Sequence, residues 1–583
     1  MSALQGLLLA LCICCPLVLG VIVDRRAAED LMEPMAVEIS PDDHLGSIAK
    51  SVLGSNFAAA RSKRQFANGT DFGTTVRLNG TNRHYFALVH WTGHPSEVLF
   101  IVTMTRRSNP TDSCLWRSTD YGVTFTNDSY KFNDSSAVIS WYYVSPFDQY
   151  LVMADTRQNK IFVTRDEGVT FEGRELDFKP NNIRYQGRTV PNSDKGALSQ
   201  HIMGYETDTQ SLYVSKDLGD TWVFMGSNIS RYRWRVLDEE FESNTSLYFE
   251  KDINDTHAVL MTSRDPYSET ETVELDPGLG PIKINSTVLN HEYILVQRIT
   301  ESNPVPLWVS AYRRPFRQAV FLEPMEQAHY AVMDASEHRV FLAVEHANSS
   351  DIHLYISDAE GVYYSLSLDH VVATEDWGND DKPSFDIHVV GGMDGMYMVN
   401  VYDGDNVKTV ITYNKGSRWR SLAAPPVDSD GQPTLCLPGC SLHLRMDTDA
   451  PLGYSSISSK RSAVGLIMAQ GNVGEGLSGE GDLLGLYISR DGGFSWSQVE
   501  RGHWTFRMVA LGSVIVMAPK RTTVDPLDFV TWSCDEGVTW TRYVFTTTPM
   551  RLIGLLSQKG EKSRRVTLFG YLRGVSPFSW LCY

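Results

Sequence analysis

Three sets of side chains in this sequence are spaced as though to do chemistry. The most frequent is acidic. Five segments share one frame, Ser/Thr-x-Asp-x-Gly-x-Ser/Thr-aromatic: Ser118 to Phe125, Thr164 to Phe171, Ser215 to Trp222, Ser489 to Trp496 and Ser533 to Trp540. A carboxylate in a fixed place can act as acid, base or cation ligand, yet every other residue of the frame serves a chain reversal. Asp and Ser/Thr side chains accept backbone N–H bonds in a turn, and Gly supplies a conformation closed to other residues. Asp120, Asp166, Asp217, Asp491 and Asp535 are therefore read as structural Asp-box residues with no catalytic part. The second set is His90 and His94, spaced like metal ligands on a helix, but Gly93, Pro95 and the apolar flanks deny that helix. The third is Cys436 and Cys440, which could bond to each other or form half of a zinc site; no second Cys/His pair is evident for the latter. No Gly-x-Ser-x-Gly elbow, phosphate loop or CxxC pair appears. The reading is of no enzyme, no metal and no cofactor.

The elements that must hold these residues are strands. Each box follows an apolar run such as Leu212-Tyr213-Val214 or Leu486-Tyr487-Ile488, and its aromatic returns to the core. Each buried aromatic contributes about 1.5–3 kcal/mol. Weaker relatives of the frame fill the intervals. Ser357 to Tyr364 shifts the Asp, Thr412 to Trp419 has Asn414 in its place, and Trp308 to Tyr312 keeps only the strand and Ser310. Most starts lie 44–55 residues apart, the length of one four-stranded unit. The 95-residue interval after Ser215 conceals another unit near Met261-Thr262-Ser263, and the 77-residue interval after Thr412 holds one unit with an insertion around Cys436. The pattern predicts an all-β fold, a single large β-propeller of about ten four-stranded blades with Asp-box turns, the tenth closed by the two ends. Propellers usually have about 4–8 blades. Two smaller rings would need a linker, and no Pro/Gly/Ser-rich stretch divides the chain.

Composition is that of a globular chain, 42% hydrophobic and 21% charged, and a net charge of −18 opposes binding to nucleic acid or anionic lipid. Residues 1–20 read as a signal peptide, an apolar run from Leu7 to Leu19 too short to span a bilayer. The longest later apolar stretch, Met508 to Pro519, reads as a core strand. Residues 21–64 read as a pro-segment ending Arg61-Ser62-Lys63-Arg64. Processing proteases of the secretory pathway have acidic subsites, so Arg61, Lys63 and Arg64 mark a cut after Arg64. The domain then runs 65–583. Asn-x-Ser/Thr sequons stand at Asn68, Asn79, Asn127, Asn133, Asn228, Asn244, Asn254, Asn285 and Asn348, read as glycosylated surface loops. Cys12, Cys14 and Cys15 leave with the signal peptide, and the five remaining cysteines are an odd number for an oxidising compartment. Cys582, one residue from the end, suggests a truncated chain.

Longer stretches add a resemblance. Val89 to His94, Leu115-Trp116-Arg117 with the box behind it, Leu354 to Asp358 with Gly361-Val362-Tyr363, and Val407 to Gly416 with Trp419 carry part of it. The more specific part is Cys436-Leu-Pro-Gly-Cys440-Ser-Leu-His-Leu444, with Gly471-Asn-Val-Gly474. Together, from about Phe86 to Trp580, they resemble the luminal domain of the sortilin family, most closely its SorCS branch. The resemblance implies a ten-bladed propeller binding peptide or protein ligands, of the neuropeptide, neurotrophin or pro-form class, on its surface or in a wide central tunnel. It implies a Cys436–Cys440 disulfide, a released pro-segment and a luminal or extracellular place in the secretory pathway. Full-length members are single-pass membrane proteins of Golgi, endosome and cell surface. Their cysteine-rich module, membrane helix and sorting tail would follow the point where this chain stops, so any membrane attachment is expected only through that region.

Ring closure would bring together Cys114 and Cys534, in the first and last boxed units, and a bond there would latch the ring. No ligand contact is assigned; Arg298 stands near the Trp308 strand without a pattern to support it. A self-associating scaffold, a homodimer, is one further reading. The enzymatic alternative is a secreted Asp-box glycoside hydrolase. A sialidase needs an arginine cluster for the substrate carboxylate and a Tyr/Glu pair. Arg313-Arg314-Pro315 is the nearest string and reads as a solvated turn. A xyloglucanase-like double propeller would instead need paired catalytic Asp residues.

Overall fold

Apolar runs such as Leu99–Met104 and Leu151–Asp155 are buried along their whole length, as expected of central strands covered on both faces. The computed structural model describes most of residues 84–572, with short strands at Val18–Val21, Gln65–Phe66, Val76–Leu78 and Trp580–Cys582. The rest of the expected signal peptide and pro-segment, residues 1–17 and 22–64, lie outside the described residues. Among the described residues the strands form nine hydrogen-bonded sheets, and the largest contains two successive four-stranded meanders. The meanders therefore follow one another along the chain as ten antiparallel units, from Phe86–Asn127 through 141–175, 182–226, 229–274, 288–318, 327–371, 387–421, 441–501 and 504–544 to the last at 550–582. The fold is an all-β propeller built from these units.

The last meander takes its fourth strand from the other end of the domain. Val76–Leu78 pairs antiparallel with Trp580–Cys582, joining the two ends by backbone hydrogen bonds. Val18–Val21 lies parallel beside Val566–Phe569. Cleavage after Gly20 would remove most of that short strand, and the tenth meander keeps its four strands without it.

Ten buried apolar clusters occur among the described residues, and each is shared by two neighbouring meanders. Leu88, Phe100 and Val102 meet Ile139, Met153 and Phe162 between the first and second. Ile467, Ala469 and Tyr487 meet Met398 and Ile411 between the eighth and seventh. Leu78, on the closing strand, packs with Val89, Leu99 and Ile101, so the tenth meander contacts the first.

The five boxes fold alike. The Ser/Thr hydroxyl accepts the Gly N–H at 2.7–2.8 Å. Asp Oδ1 accepts the N–H of the Ser/Thr four residues on, at 2.8–2.9 Å, and Oδ2 accepts that residue's hydroxyl at 2.5–2.6 Å. The residue before the glycine is also left-handed, at Tyr121, Glu167, Leu218 and Glu536, which the motif alone did not reveal. Thr412 to Trp419 closes the same turn through Asn414. In Ser357 to Tyr364 the shifted Asp358 caps the turn differently, accepting from Val362 and Tyr363 N–H.

Each box clamps its meander to the preceding one. Phe171, Trp222, Trp496 and Trp540 join the clusters that their units share with the unit before. Gly168 sits so close to Phe100 of the first meander that a Cβ would lie 2.6 Å from its ring. Arginines of the preceding unit complete the contact: Arg117 Nε donates to Glu167 O at 2.8 Å, Arg165 Nη2 to Asp217 O at 3.1 Å and Arg490 Nε to Glu536 O at 2.8 Å.

The expected latch between Cys114 and Cys534 is not formed. Cys114 precedes its box serine by four residues and Cys534 directly follows its own, so the two stand at opposite ends of equivalent strands. At ~3.3 Å per residue that offset is about 16 Å, against a disulfide Cα limit of ~7 Å. The tenth meander also stands between their units.

Gly168→Ala, at φ +77° against Phe100, should lower the apparent melting temperature more than Gly404→Ala, at φ +61° with nothing within 4 Å. The first carries left-handed strain plus an overpacking cost of about 1–3 kcal/mol, the second only strain of about 1–2 kcal/mol. Equal melting temperatures would remove the clamp. A second expectation concerns acid. Burial works to raise the five box carboxylates, but donors from Thr124, Thr170, Thr221, Ser495 and Thr539 outweigh it and hold them below the usual range. A depressed folded pKa gives stability that is present above the unfolded value, about 3.9, and lost as pH falls through the folded one. Melting curves from pH 7 to 3 should therefore show a shallower acid decline after Asp166→Asn, Asp217→Asn and Asp535→Asn are combined; an unchanged slope counts against this origin.

Candidate functional site

In a ring of wedges, the strands nearest the axis are those that touch their counterparts in the next wedge. Here these are the first strands of the meanders. Tyr142 Oη, on Trp141–Val144, donates to Val89 O on Phe86–Trp91 at 2.9 Å. The Arg184 guanidinium, on Asn182–Tyr185, lies 5.0 Å over the Tyr232 ring on Ile229–Trp234. Arg231 and Arg233 donate through Nη1 to Thr287 O at 2.7 Å and Leu289 O at 2.9 Å, at the head of the fifth meander. The Tyr330 hydroxyl, on Gln327–Asp334, donates to Ser286 O. Strand periodicity explains the pairing: Arg231 and Arg233 share one face, and Tyr232 takes the other.

The charge on these strands opposes that of the whole chain. Among the described first strands the basic residues are Arg184, Arg231, Arg233, Lys460, Arg507 and Arg551, and the one acidic residue is Asp334. Asp334 accepts the Tyr397 hydroxyl at 2.6 Å, at the seam with the seventh meander. Arg184 and Arg233 are exposed and Arg231 is half-buried. A backbone carbonyl holds a guanidinium in place without cancelling its charge, and low-dielectric walls concentrate the field of what remains. Burial lifts the phenols of Tyr142, Tyr185 and Tyr232 well above their ordinary value, with Arg165 opposing it at Tyr185 and Arg184 at Tyr232. They stay neutral; the Tyr142 hydroxyl is held by Val89 O, the Tyr185 hydroxyl is buried, and the Tyr232 ring lies beneath Arg184. A positive, aromatic wall of this kind suits an anionic or carboxylate-bearing segment of a ligand.

The residues singled out by sequence lie elsewhere. The box aspartates sit in turns far along the chain from the first strands and bond their own turns. Cys436 and Cys440 are joined by a disulfide, Cα–Cα 5.4 Å, in the insertion between the seventh and eighth meanders. Asn127, Asn133, Asn228 and Asn254 are exposed and Asn285 is half-exposed; Asn68, Asn79, Asn244 and Asn348 lie outside the described residues. So do Arg61, Lys63 and Arg64, although Gln65–Phe66 directly after them pairs with Thr541–Arg542. His90 packs by Phe100 and Tyr142, and His94 lies outside the described residues. Arg298 lies 4.5 Å over the Trp308 ring. Arg313 bonds Tyr248 Oη, while Arg314 and Arg317 share Glu360 as an ion-pair partner. Among the described residues no group of three or more His, Cys, Asp or Glu could hold a metal, and no helix is long and apolar enough to cross a membrane.

Sequence reasoning missed Arg184, Arg231 and Arg233. The available signal was the alternation Arg-Tyr-Arg in a strand with no acidic residue, but which strands face the axis is not written in that alternation.

Comparison with known proteins agrees with the sequence resemblance. The family model described as Sortilin-Vps10, "Sortilin, neurotensin receptor 3", matches residues 113–555. The human VPS10 domain-containing receptor SorCS3 is 33% identical over 512 residues, covering 85% of this chain and 40% of that protein. The mouse sortilin-related receptor is 30% identical over 543 residues, covering 87% of this chain and 23% of that one. This chain thus spans two fifths or less of these relatives' length. Among solved structures, the β-propeller domain of the Trilobed protease from Pyrococcus furiosus aligns at 10% identity over 70% of this chain and 94% of its own, with a TM-score of 0.28, too low to bear on function. With the family model matching most of its length and relatives a third identical across 85% of it, this chain belongs to the Sortilin-Vps10 family.

Proposed function

We propose that the chain is the ligand-binding luminal or extracellular domain of a sortilin-family receptor, and that it takes peptide or protein segments along its axis-facing wall. The observation that carries this is the basic first strands in a chain of net charge −18. A wall of this sign selects acidic segments or a free carboxylate and repels basic ones. The ten meanders are read as ten blades of one ring; the ten shared clusters and the pairing of Val76–Leu78 with Trp580–Cys582 support that reading. Release of residues 21–64 by a cut after Arg64 would leave Gln65–Phe66 as the new amino terminus, on the edge of the ninth unit. The nine sequons are proposed glycan sites. The chain is proposed to do no chemistry, since the boxed carboxylates are spent on their own turns.

Binding of a Glu-rich peptide and a Lys-rich peptide of equal length, measured by calorimetry at low and high salt, tests the assignment. The acidic peptide should bind more tightly, lose affinity with salt, and lose on the order of tenfold or more after Arg184→Glu with Arg233→Glu. Equal affinity for both peptides, or no effect of the double variant, would remove the wall as the site. Turnover of a fluorogenic sialoside would overturn the receptor reading itself.

A further inference from the structure

The seam between the seventh and eighth meanders carries a buried polar network beside its apolar cluster. His443, in Ser441–Leu444, sits there with no exposed surface, beside the equally buried Asn400 and Thr409. Its Nδ1 accepts the backbone N–H of Thr409 at 3.2 Å, and its Nε2 lies 3.1 Å from Gly474 O, an acceptor that demands a proton on that nitrogen. The two bonds fix a neutral tautomer with hydrogen on Nε2. Asn400 Nδ2 bridges Asp386 at 2.9 Å and Leu444 O at 3.0 Å, and Thr409 Oγ1 accepts Leu444 N–H at 2.8 Å. A second imidazole crosses the same seam: His388 Nε2, on the seventh unit, lies 2.7 Å from Ser459 Oγ on the eighth.

The two histidines respond differently to a proton. Ser459 Oγ can donate or accept, so His388 keeps a partner in either state. Thr409 N–H can only donate. A proton added to His443 must go to Nδ1, where it would face another N–H, with no exposed surface at the ring for water to intervene. The network's carboxylate, Asp386, connects to His443 through Asn400 and Thr409. The other charged groups flanking the imidazole are Lys408 on the Thr409 strand, Arg445 beyond Leu444 and Glu475 after Gly474; Lys460 and Arg461 flank Ser459.

We propose that this seam is an acid-sensitive joint of the ring, pinned at neutral pH by His443 and loosened when that imidazole is protonated. The proposal is independent of what the axis-facing wall binds. Burial pushes His443 below the ordinary histidine value, Gly474 O opposes that and Lys408 adds to it. Burial pushes His388 down to about 4. A lowered folded value means that the contribution is complete above the unfolded pKa of about 6.5 and declines as pH falls from there towards the folded value.

Hydrogen exchange of the full chain by mass spectrometry, corrected for the intrinsic pH dependence of amide exchange, reads the joint directly. Between pH 7.4 and 5.0, peptides covering 406–412, 441–446 and 463–474 should lose protection by about tenfold for each unit between the unfolded and folded pKa values. Peptides covering 99–104 and 151–164, at the apolar seam of the first and second units, should hold theirs. In His443→Gln the amide can accept from Thr409 and donate to Gly474 without titrating, so the acid response of the seam should vanish. Equal protection of the wild-type seam at both pH values would overturn the proposal whether or not the variant folds. An acid response that survives in a folded His443→Gln would do the same.

Discussion

Each Asp-box ties a turn to its neighbour, and the ring depends on that double attachment. A four-stranded meander cannot bury both of its faces alone; it needs a flat apolar surface on each side. The box meets this need at the one point where the chain reverses. Its hydroxyl and carboxylate satisfy the turn's own N–H groups, leaving the glycine edge and the aromatic to fill the preceding unit's surface. Because hydrogen bonds hold the turn to one shape, the neighbouring unit meets the same surface at each boxed position.

Repetition of that clamp leaves a seam problem at the ends. A stack of meanders bound only to their predecessors would remain open, with one exposed face at each terminus. The chain solves this by supplying the fourth strand of its last unit from near its start, so that backbone pairing and the packing of Leu78 complete the last seam together. Closure then brings the first strands together along an axis, and guanidinium-to-carbonyl bonds span them. The positive wall is thus built in part from structural arginines that hold neighbouring units through backbone carbonyls.

The seam at the seventh and eighth units adds a polar network to this pattern, because the chain carries an insertion there. The insertion that carries the Cys436–Cys440 loop separates the two units, and the inner edge of the eighth is divided between Ser441–Leu444 and Ile457–Lys460. Polar groups freed by that division find partners across the seam: Asn400 at Leu444 O, Thr409 at His443. The Ser-Leu-His-Leu stretch that carries much of the family resemblance is therefore a joint between units, and its histidine is structural.

What the sequence determined by itself was local. Turn chemistry lies within eight residues, so the boxes, the strands before them and their spacing were legible, as was the degenerate Thr412 turn; the Cys436–Cys440 bond was implied by the family resemblance. The Ser357 unit showed the limit, since moving one aspartate by one place changed which N–H groups it could reach. Everything that depends on which units are neighbours was decided by the tertiary structure. Cys114 and Cys534 look close when counted by repeat, yet stand at opposite strand ends once the register is set. The arginines of the first strands are ordinary strand residues until the units pack side by side and those strands meet. His443 reads as one histidine in an apolar strand until the Thr409 amide, distant in the chain, is folded against it. Hydrogen bonds within a turn can be read from spacing; those between units depend on packing distances that exist only after the ring has formed.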